Sequence, residues 1–122
     1  LESPRVLTAK QYLKEHPNVF FAGQITGFEG YMESAASGLL AARQILARLQ
    51  GRELPPPPPQ TMCGALLQYI TTPNKDFQPM GANMGILPRT PDIDAIRDKR
   101  ERYAALSETA QQAMQAWVQE DV

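Results

Sequence analysis

The apolar positions of this chain fall into runs of different period, and each run predicts a different element. Val19-Phe20-Phe21-Ala22 is continuously apolar without alternation, the pattern of a short strand buried on both faces of a sheet. It breaks into the loop Gly23-Gln24-Ile25-Thr26-Gly27-Phe28-Glu29-Gly30, with three glycines, and opens directly into a helix predicted from about Tyr31 to Gln50. From Ala35 to Ala42 only Ser37 is polar and five of the eight residues are Ala or Gly, so this half is expected to lie buried against the sheet. In the second half Ile45, Leu46 and Leu49 mark an inward face, and Arg43, Gln44 and Arg48 a solvated one. Gly51 stands where a left-handed residue closes a helix.

The remaining pattern is mostly helical. Thr8 to Lys14 reads as a short helix, stopped before Pro17 because the residue preceding a proline is pushed out of the α region. Pro55 to Pro59 is an unbroken proline run, which favours an extended spacer over a docking motif for a proline-recognition domain. Thr61 to Thr72 predicts a helix with Ala65, Leu66, Tyr69 and Ile70 on one face, ended at Pro73. Phe77 to Pro88 reads as an ordered irregular segment. Thr90-Pro91-Asp92 is a helix start with an N-cap oxygen, proline at the first turn and an acid behind it. Ile93, Ile96, Arg100 and Tyr103 then follow one stripe, and Ser107 opens a last helix whose Ala110, Ala113, Met114, Trp117 and Val118 share a face.

Composition narrows the function classes. A length of 122 residues allows one domain at most, and the chain opens at Leu1 in mid-pattern without a secretory leader, as expected of a fragment or excised domain. No apolar run approaches the roughly 20 residues that span a bilayer. With 12 basic and 13 acidic residues the net charge is −1, so the chain lacks the basic excess of a free-standing nucleic-acid binder. Any RNA contact has to come from a local cluster, and Arg89, Arg97, Lys99, Arg100 and Arg102 form one. They are interleaved with Asp92, Asp94, Asp98 and Glu101, so a solvated, salt-bridged face is the default. A single cysteine excludes an internal disulfide and a cysteine metal cluster, and fits a reducing cytoplasm.

The strand–loop–helix corner carries the candidate chemistry. Such a corner turns backbone N–H groups and the positive end of a helix dipole toward whatever lies beyond the strand. Its spacing is G-x-x-x-G-x-x-G, which is not the G-x-G-x-x-G of a first dinucleotide-binding turn; a plain tight turn is the alternative. Gln24 and Thr26 offer an amide and a hydroxyl to a polar ligand, and Tyr31 offers a ring to stack or to cap the helix. Glu29 and Glu33 either complement the dipole or contact a cofactor or substrate. Cys63 has no Lys, Arg or His beside it in sequence and is expected to be a packing residue, not a nucleophile. His16, before Pro17, is expected to be a solvated loop histidine.

The string from Val19 to Leu40 resembles one family as a whole. It is similar to the TrmFO family of folate- and FAD-dependent tRNA (uracil-5-)-methyltransferases. The likeness continues through Gly64-Ala65-Leu66-Leu67-x-Tyr69-Ile70-Thr71 and Phe77-Gln78-Pro79-Met80-x-x-Asn83-x-Gly85, to about Pro88. The resemblance implies an α/β fold, in which residues 1–54 are the C-terminal part of a Rossmann-like FAD-binding domain. Residues 55–122 are then a proline spacer and a mostly helical C-terminal region. It implies FAD as cofactor, 5,10-methylenetetrahydrofolate as one-carbon donor, NAD(P)H as reductant, a cytoplasmic location and the T-arm of tRNA as partner. The remainder of the FAD-binding domain is implied as a second partner.

Carried onto this sequence, the resemblance gives Gly23, Gln24, Ile25, Thr26, Gly27, Gly30, Tyr31, Glu33 and Ser34 as cofactor-binding. The backbone of Gly27 to Tyr31 would face the pyrimidine edge of the flavin. No catalytic residue and no metal site fall in this segment, since the family's catalytic cysteines lie upstream. The sister flavoprotein of tRNA wobble-uridine carboxymethylaminomethylation shares the loop but has Asn at the position of Thr26 and lacks the Glu33-Ser34 pair. A third reading is a non-catalytic structural or tRNA-docking module, and the isolated segment is expected to be inactive, because no first G-x-G-x-x-G turn is present in it.

Overall fold

The computed structural model describes residues 1–121. Five α-helices follow one another: α1 (Ser3–Val6), α2 (Tyr31–Leu49), α3 (Met62–Thr71), α4 (Pro91–Asp94) and α5 (Lys99–Glu120), with 3₁₀ turns at Gln24–Thr26 and Met84–Ile86. Outside the helices, the described residues pair only in isolated bridges: Leu7 with Leu13, Tyr12 with Phe20, and Phe28 with Met80.

The N-terminal segment departs from both of its predicted elements. Thr8 to Lys14 is not a helix: Gln11 takes a left-handed φ of 73°, which reverses the chain so that Tyr12 can pair with Phe20. Val19 to Ala22 is not a buried strand. Val19 is 43% exposed, Phe21 and Ala22 are half-buried, and only Phe20 makes a bridge. A strand is completed by neighbours that take up its N–H and C=O groups, and the described residues supply a single reversed segment on one side.

The helix α2 forms where the pattern places it, and it ends in a Schellman turn. Gly51 sits at φ +71°, its N–H donates to the carbonyl of Arg48 at 3.0 Å, and the Arg52 N–H reaches the Ala47 carbonyl at 2.8 Å. Its faces, however, differ from those expected, although Arg48 is exposed as predicted. Ser37, Leu40, Ala41, Gln44 and Ala47 point inward, while Leu39, Leu46 and Leu49 are 63%, 51% and 79% exposed. Ile45 is exposed as well, and the all-round burial predicted for Ala35 to Ala42 fails at Ala35, Gly38, Leu39 and Ala42. The inward face is chosen by hydrogen bonding as much as by apolarity, since the Gln44 amide donates to the buried Leu54 carbonyl at 3.0 Å. An outward apolar face thus runs the length of α2.

The proline run is packed, not a free spacer. Leu54 and Pro57 are buried, and the Pro55 carbonyl accepts from the indole N–H of Trp117 at 2.8 Å. At its far end Thr61 caps α3: its hydroxyl donates to the Pro58 carbonyl at 2.7 Å and accepts from the Gly64 N–H at 2.9 Å. The two backbones approach so closely that a Cβ on Gly64 would overlap the Pro57 and Pro58 carbonyls. That approach lets α3 bury Ala65, Leu66, Leu67 and Ile70 nearly all round. These residues join Leu7, Phe28, Leu40, Ala47, Leu54 and Trp117 in the main core, and Leu87 and Leu106 in a second cluster around Ala65.

The C-terminal helices divide differently from the pattern. Thr90 caps α4 as predicted, accepting from the Ile93 N–H at 3.3 Å, but α4 stops at Asp94. Asp98 then caps a new helix, so the stripe from Ile93 to Tyr103 is split and Ser107 lies inside α5. Three inward residues of α5 were foreseen, Trp117 being buried and Met114 and Val118 packing against the main core, whereas the buried Leu106 was not. Behind Trp117 the nearly buried Asp121 carboxylate is gripped by Arg43 from α2 and by Arg52 at 3.2 Å, which ties the end of α5 to α2.

The Gly64 crossing makes a prediction. Gly64→Ala should destabilise the chain by about 2 kcal/mol or more, as overpacking against rigid backbone does. Gly38→Ala, at an exposed helical position with open space around the new Cβ, should stabilise it by about 0.5–1 kcal/mol. Urea unfolding of both variants checks this, and equal midpoints would contradict it.

Candidate functional site

The glycine loop turns on itself before it meets α2. The N–H groups of Thr26 and Gly27 donate to the carbonyls of Gly23 and Gln24, each at 3.0 Å, closing the 3₁₀ turn. Gly23, Gly27 and Gly30 all have positive φ, at 85°, 112° and 108°. A side chain at Gly27 would also strike the Phe77 ring, 2.5 Å from the ideal Cβ. The loop therefore needs glycine at all three places for its own conformation.

A strap from the C-terminal half lies along the loop. Met80 receives the Glu29 N–H at 3.0 Å and gives its own N–H to the Gly27 carbonyl at 2.8 Å, the parallel bridge that buries Phe28. The strap is fastened at its other end by Glu33, whose carboxylate accepts from the Ala82 N–H at 3.0 Å. The Ala82 bond, with a lesser one from its own backbone N–H, holds the Glu33 carboxyl below its ordinary range. The same carboxylate lies within 3.0 Å of where a Cβ of Gly30 would be, so a side chain there would push Glu33 off the strap, besides the strain of its positive φ.

The candidate residues consequently part into three sets. Thr26 and Gly27 are buried: the Thr26 hydroxyl donates to the Gly23 carbonyl at 2.7 Å, and its carbonyl accepts from Ser3 Oγ at 2.5 Å. They build the loop. Gln24, Ile25, Gly30 and Tyr31 stand on its outer side, Ile25 56% and Tyr31 97% exposed. Gly23, Glu33 and Ser34 lie between, with the Ser34 carbonyl accepting from Ser37 Oγ at 2.7 Å and the Ser34 N–H bonding to Gly30. Gly30 is the N-cap of α2 and brings no capping side chain; Glu33 takes its own N–H, which leaves the Tyr31 and Met32 amides of the first turn at the outer side of the loop.

Three residues outside the candidate set organise this arrangement. Ser37 Oγ accepts from the Gly23 N–H at 2.7 Å, Gln11 Nε2 donates to the Ser37 carbonyl at 2.9 Å, and Ser3 holds Thr26. Ser37 had a signal in the sequence, as the lone polar residue in a small-residue run. Gln11 and Ser3 had none, because their partners are backbone carbonyls that no pattern displays.

The other candidates take the roles expected of them. Cys63 is half-buried against the main core, and burial pushes its thiol above the ordinary value. His16 is exposed. The basic stretch is engaged internally at several points: Arg89 pairs with Asp94 at 3.4 Å, Arg102 donates to the Ile96 carbonyl, and Lys99 lies over the Tyr103 ring. Among the described residues no three His, Cys, Asp or Glu side chains cluster as a metal site would require. None of the described helices is long and apolar enough to cross a membrane.

Comparison with known proteins decides which family the loop belongs with. Residues 1–53 match the family model described as Glucose inhibited division protein A. Over 108 residues, 88% of this chain, it is 49% identical to a methylenetetrahydrofolate–tRNA-(uracil-5-)-methyltransferase TrmFO from Caldicellulosiruptor bescii. It is 47% identical over 120 residues to the TrmFO of Cereibacter sphaeroides, and 47% identical over 120 residues to that of Nitratidesulfovibrio vulgaris. These alignments cover 97% and 98% of the chain. This chain is a relative of the TrmFO proteins. It spans about a quarter of the length of the curated TrmFO relatives it matches, 25% and 27% in the first two cases.

Two predictions follow from the titratable groups. Because the Glu33 carboxyl is held low, its bond to Ala82 is complete above the free glutamate value of about 4.3 and is lost as pH falls through the lowered value. The Ala82 amide resonance should therefore titrate with a midpoint below that of free glutamate, and Glu33→Gln should abolish the transition; a midpoint at or above the free value would contradict the geometry. Cys63, held protonated by burial, should react with iodoacetamide at pH 7.5 more slowly than glutathione does, and equal rates would show an exposed thiolate.

Proposed function

We propose that this chain forms the cofactor-facing corner of a cytoplasmic, FAD- and 5,10-methylenetetrahydrofolate-dependent enzyme. That enzyme methylates the T-loop uridine of tRNA at C5, with NAD(P)H as reductant. The observation that carries the reading is the loop itself. Gly23 to Gly30 is tied internally and to its strap, while Gln24, Ile25, Gly30 and Tyr31 face outward beside uncapped first-turn amides. Uncapped amides at the positive end of a 19-residue helix fit the electron-rich pyrimidine edge of a flavin. FAD, when bound, would supply the redox chemistry; the chain's part is to hold and polarise that edge. Gly23, Gln24, Ile25, Gly30 and Tyr31 would contact the cofactor. Thr26, Gly27, Glu33 and Ser34 would fix the loop from behind, and catalytic cysteines would come from outside the chain.

The outward apolar face of α2 supports the companion proposal about fold. Leu39, Leu46 and Leu49 are more than half exposed and Ile45 is 38% exposed among the described residues, and a helix apolar on both sides is one that is packed on both sides. We assign that face, and the open edge of Val19 to Ala22, to the remainder of a Rossmann-like FAD-binding domain. Residues 1–54 would belong to that domain. Residues 55–122 would form the helical C-terminal region, whose strap braces the loop and whose outer surface is available to the tRNA T-arm.

The sister wobble-uridine flavoprotein is the weaker reading. The TrmFO relatives align across both the loop and the Phe77 to Gly85 strap, whereas the broader family model stops at residue 53. The full-length protein should be yellow with bound FAD and should form 5-methyluridine in a T-arm transcript given methylenetetrahydrofolate and NAD(P)H. Loss of the wobble modification in place of ribothymidine, in tRNA from a deletion strain, would move the assignment to the sister enzyme. The 122-residue chain alone should transfer no methyl group, and measurable transfer by it would overturn the assignment of the catalytic cysteines to other parts of the protein.

A further inference from the structure

We infer that Gln11 is a positioning residue for the glycine loop, setting through its side-chain amide where the loop leaves the chain and meets α2; this rests on the FAD reading of that loop. Gln11 is 1% exposed and is the one non-glycine residue with positive φ among those described, at 73°. Left-handed backbone at a buried glutamine is strained and persists only where surrounding contacts fix it. Its own N–H donates to the Thr8 carbonyl at 2.8 Å, and its other contacts go to the two residues that flank the loop, Phe21 and Ser37. The Gln11 carbonyl accepts from the Phe21 N–H at 2.9 Å, and Gln11 Nε2 donates to the Phe21 carbonyl at 3.3 Å. Its second donation, to the Ser37 carbonyl at 2.9 Å, reaches the second turn of α2.

One planar amide thus spans the two sides of the loop at its neck. Phe21 lies two residues before Gly23, and Ser37 is the residue whose hydroxyl receives the Gly23 N–H. Gln11 Oε1 is buried without a partner among the described residues, so the amide is oriented by its two donations alone, and a flipped amide would set oxygen against two carbonyls. Neither Phe21 nor Ser37 can shift without breaking one of these bonds, so the outer amides near Gly30 are held at a fixed distance from the incoming chain.

The test uses the full-length protein and three variants. Gln11→Met keeps length and apolar volume but removes both donations. It should weaken FAD binding by about tenfold, as loss of a buried hydrogen-bonding partner does, and displace the flavin absorbance bands and reduction potential. Leu106→Ala, in the second core cluster, should lower the Tm and leave the flavin readouts as in wild type. FAD affinity within twofold of wild type and an unshifted potential in Gln11→Met, at a lowered Tm, would reduce Gln11 to a packing role and overturn the inference. If Gln11→Met does not fold, Gln11→Asn, which tolerates the left-handed backbone but whose amide is one methylene too short to reach both carbonyls, carries the same expected shift and the same overturning result. Absence of flavin from the wild-type protein would defeat the FAD reading and the inference together, whereas a defect confined to the variants would leave the reading intact.

Discussion

The structure depends on finding donors for buried carbonyls that no sheet serves. A chain with 11 prolines and only isolated bridges outside its helices cannot satisfy its interior backbone by regular pairing. Side chains take over that work at five crossings or turns, beside the backbone bridge of Met80 to the loop. Ser3 serves Thr26, Gln11 serves Phe21 and Ser37, Gln44 serves Leu54, Thr61 serves Pro58, and Trp117 serves Pro55. Each of these donors bonds across at least two elements or loops, except Thr61, which works within its own turn. The burial of Gln11, Ser37, Gln44 and Thr61 is the outcome, since a polar side chain is admitted to an interior when it completes a hydrogen bond there.

This requirement explains which parts of the fold were legible in the sequence. Several helix ends were, because their determinants are local: Thr90 as a cap, Gly51 as a left-handed close, Pro73 as a stop. The inward face of Trp117, Met114 and Val118 was legible by period. The faces of α2 were not, because Ser37 and Gln44 turn inward for carbonyls contributed by distant segments, and Leu39, Leu46 and Leu49 turn outward. The bend at Gln11 was invisible for the same reason. The break before Asp98 was missed although an N-cap was written there, since the stripe through Ile96 and Tyr103 masked it.

The candidate site was legible in its position and not in its division of labour. The three glycines marked the loop, and Glu33 and Ser34 the first turn of α2 behind it. Thr26 is turned inward by Ser3, Gln24, Ile25 and Tyr31 turn outward, and Gly27 is turned inward by the strap at Phe77 to Ala82. Its contacts are made across some fifty residues of sequence, as in the bond from Ala82 to Glu33. The strap also changes what Gly30 signifies, for its missing side chain leaves room for a carboxylate of the same chain.

The proline run between the two halves has a metric consequence. Its first carbonyl is held by Trp117 and its fourth by Thr61, and immediately beyond it Gly64 is pressed against the backbone of Pro57 and Pro58. A polyproline stretch advances about 3.1 Å per residue and cannot bulge to absorb a surplus. The five prolines therefore act as a ruler, fixing the separation between the end of α5 and the start of α3. One proline more or fewer would put one of its two anchors out of reach.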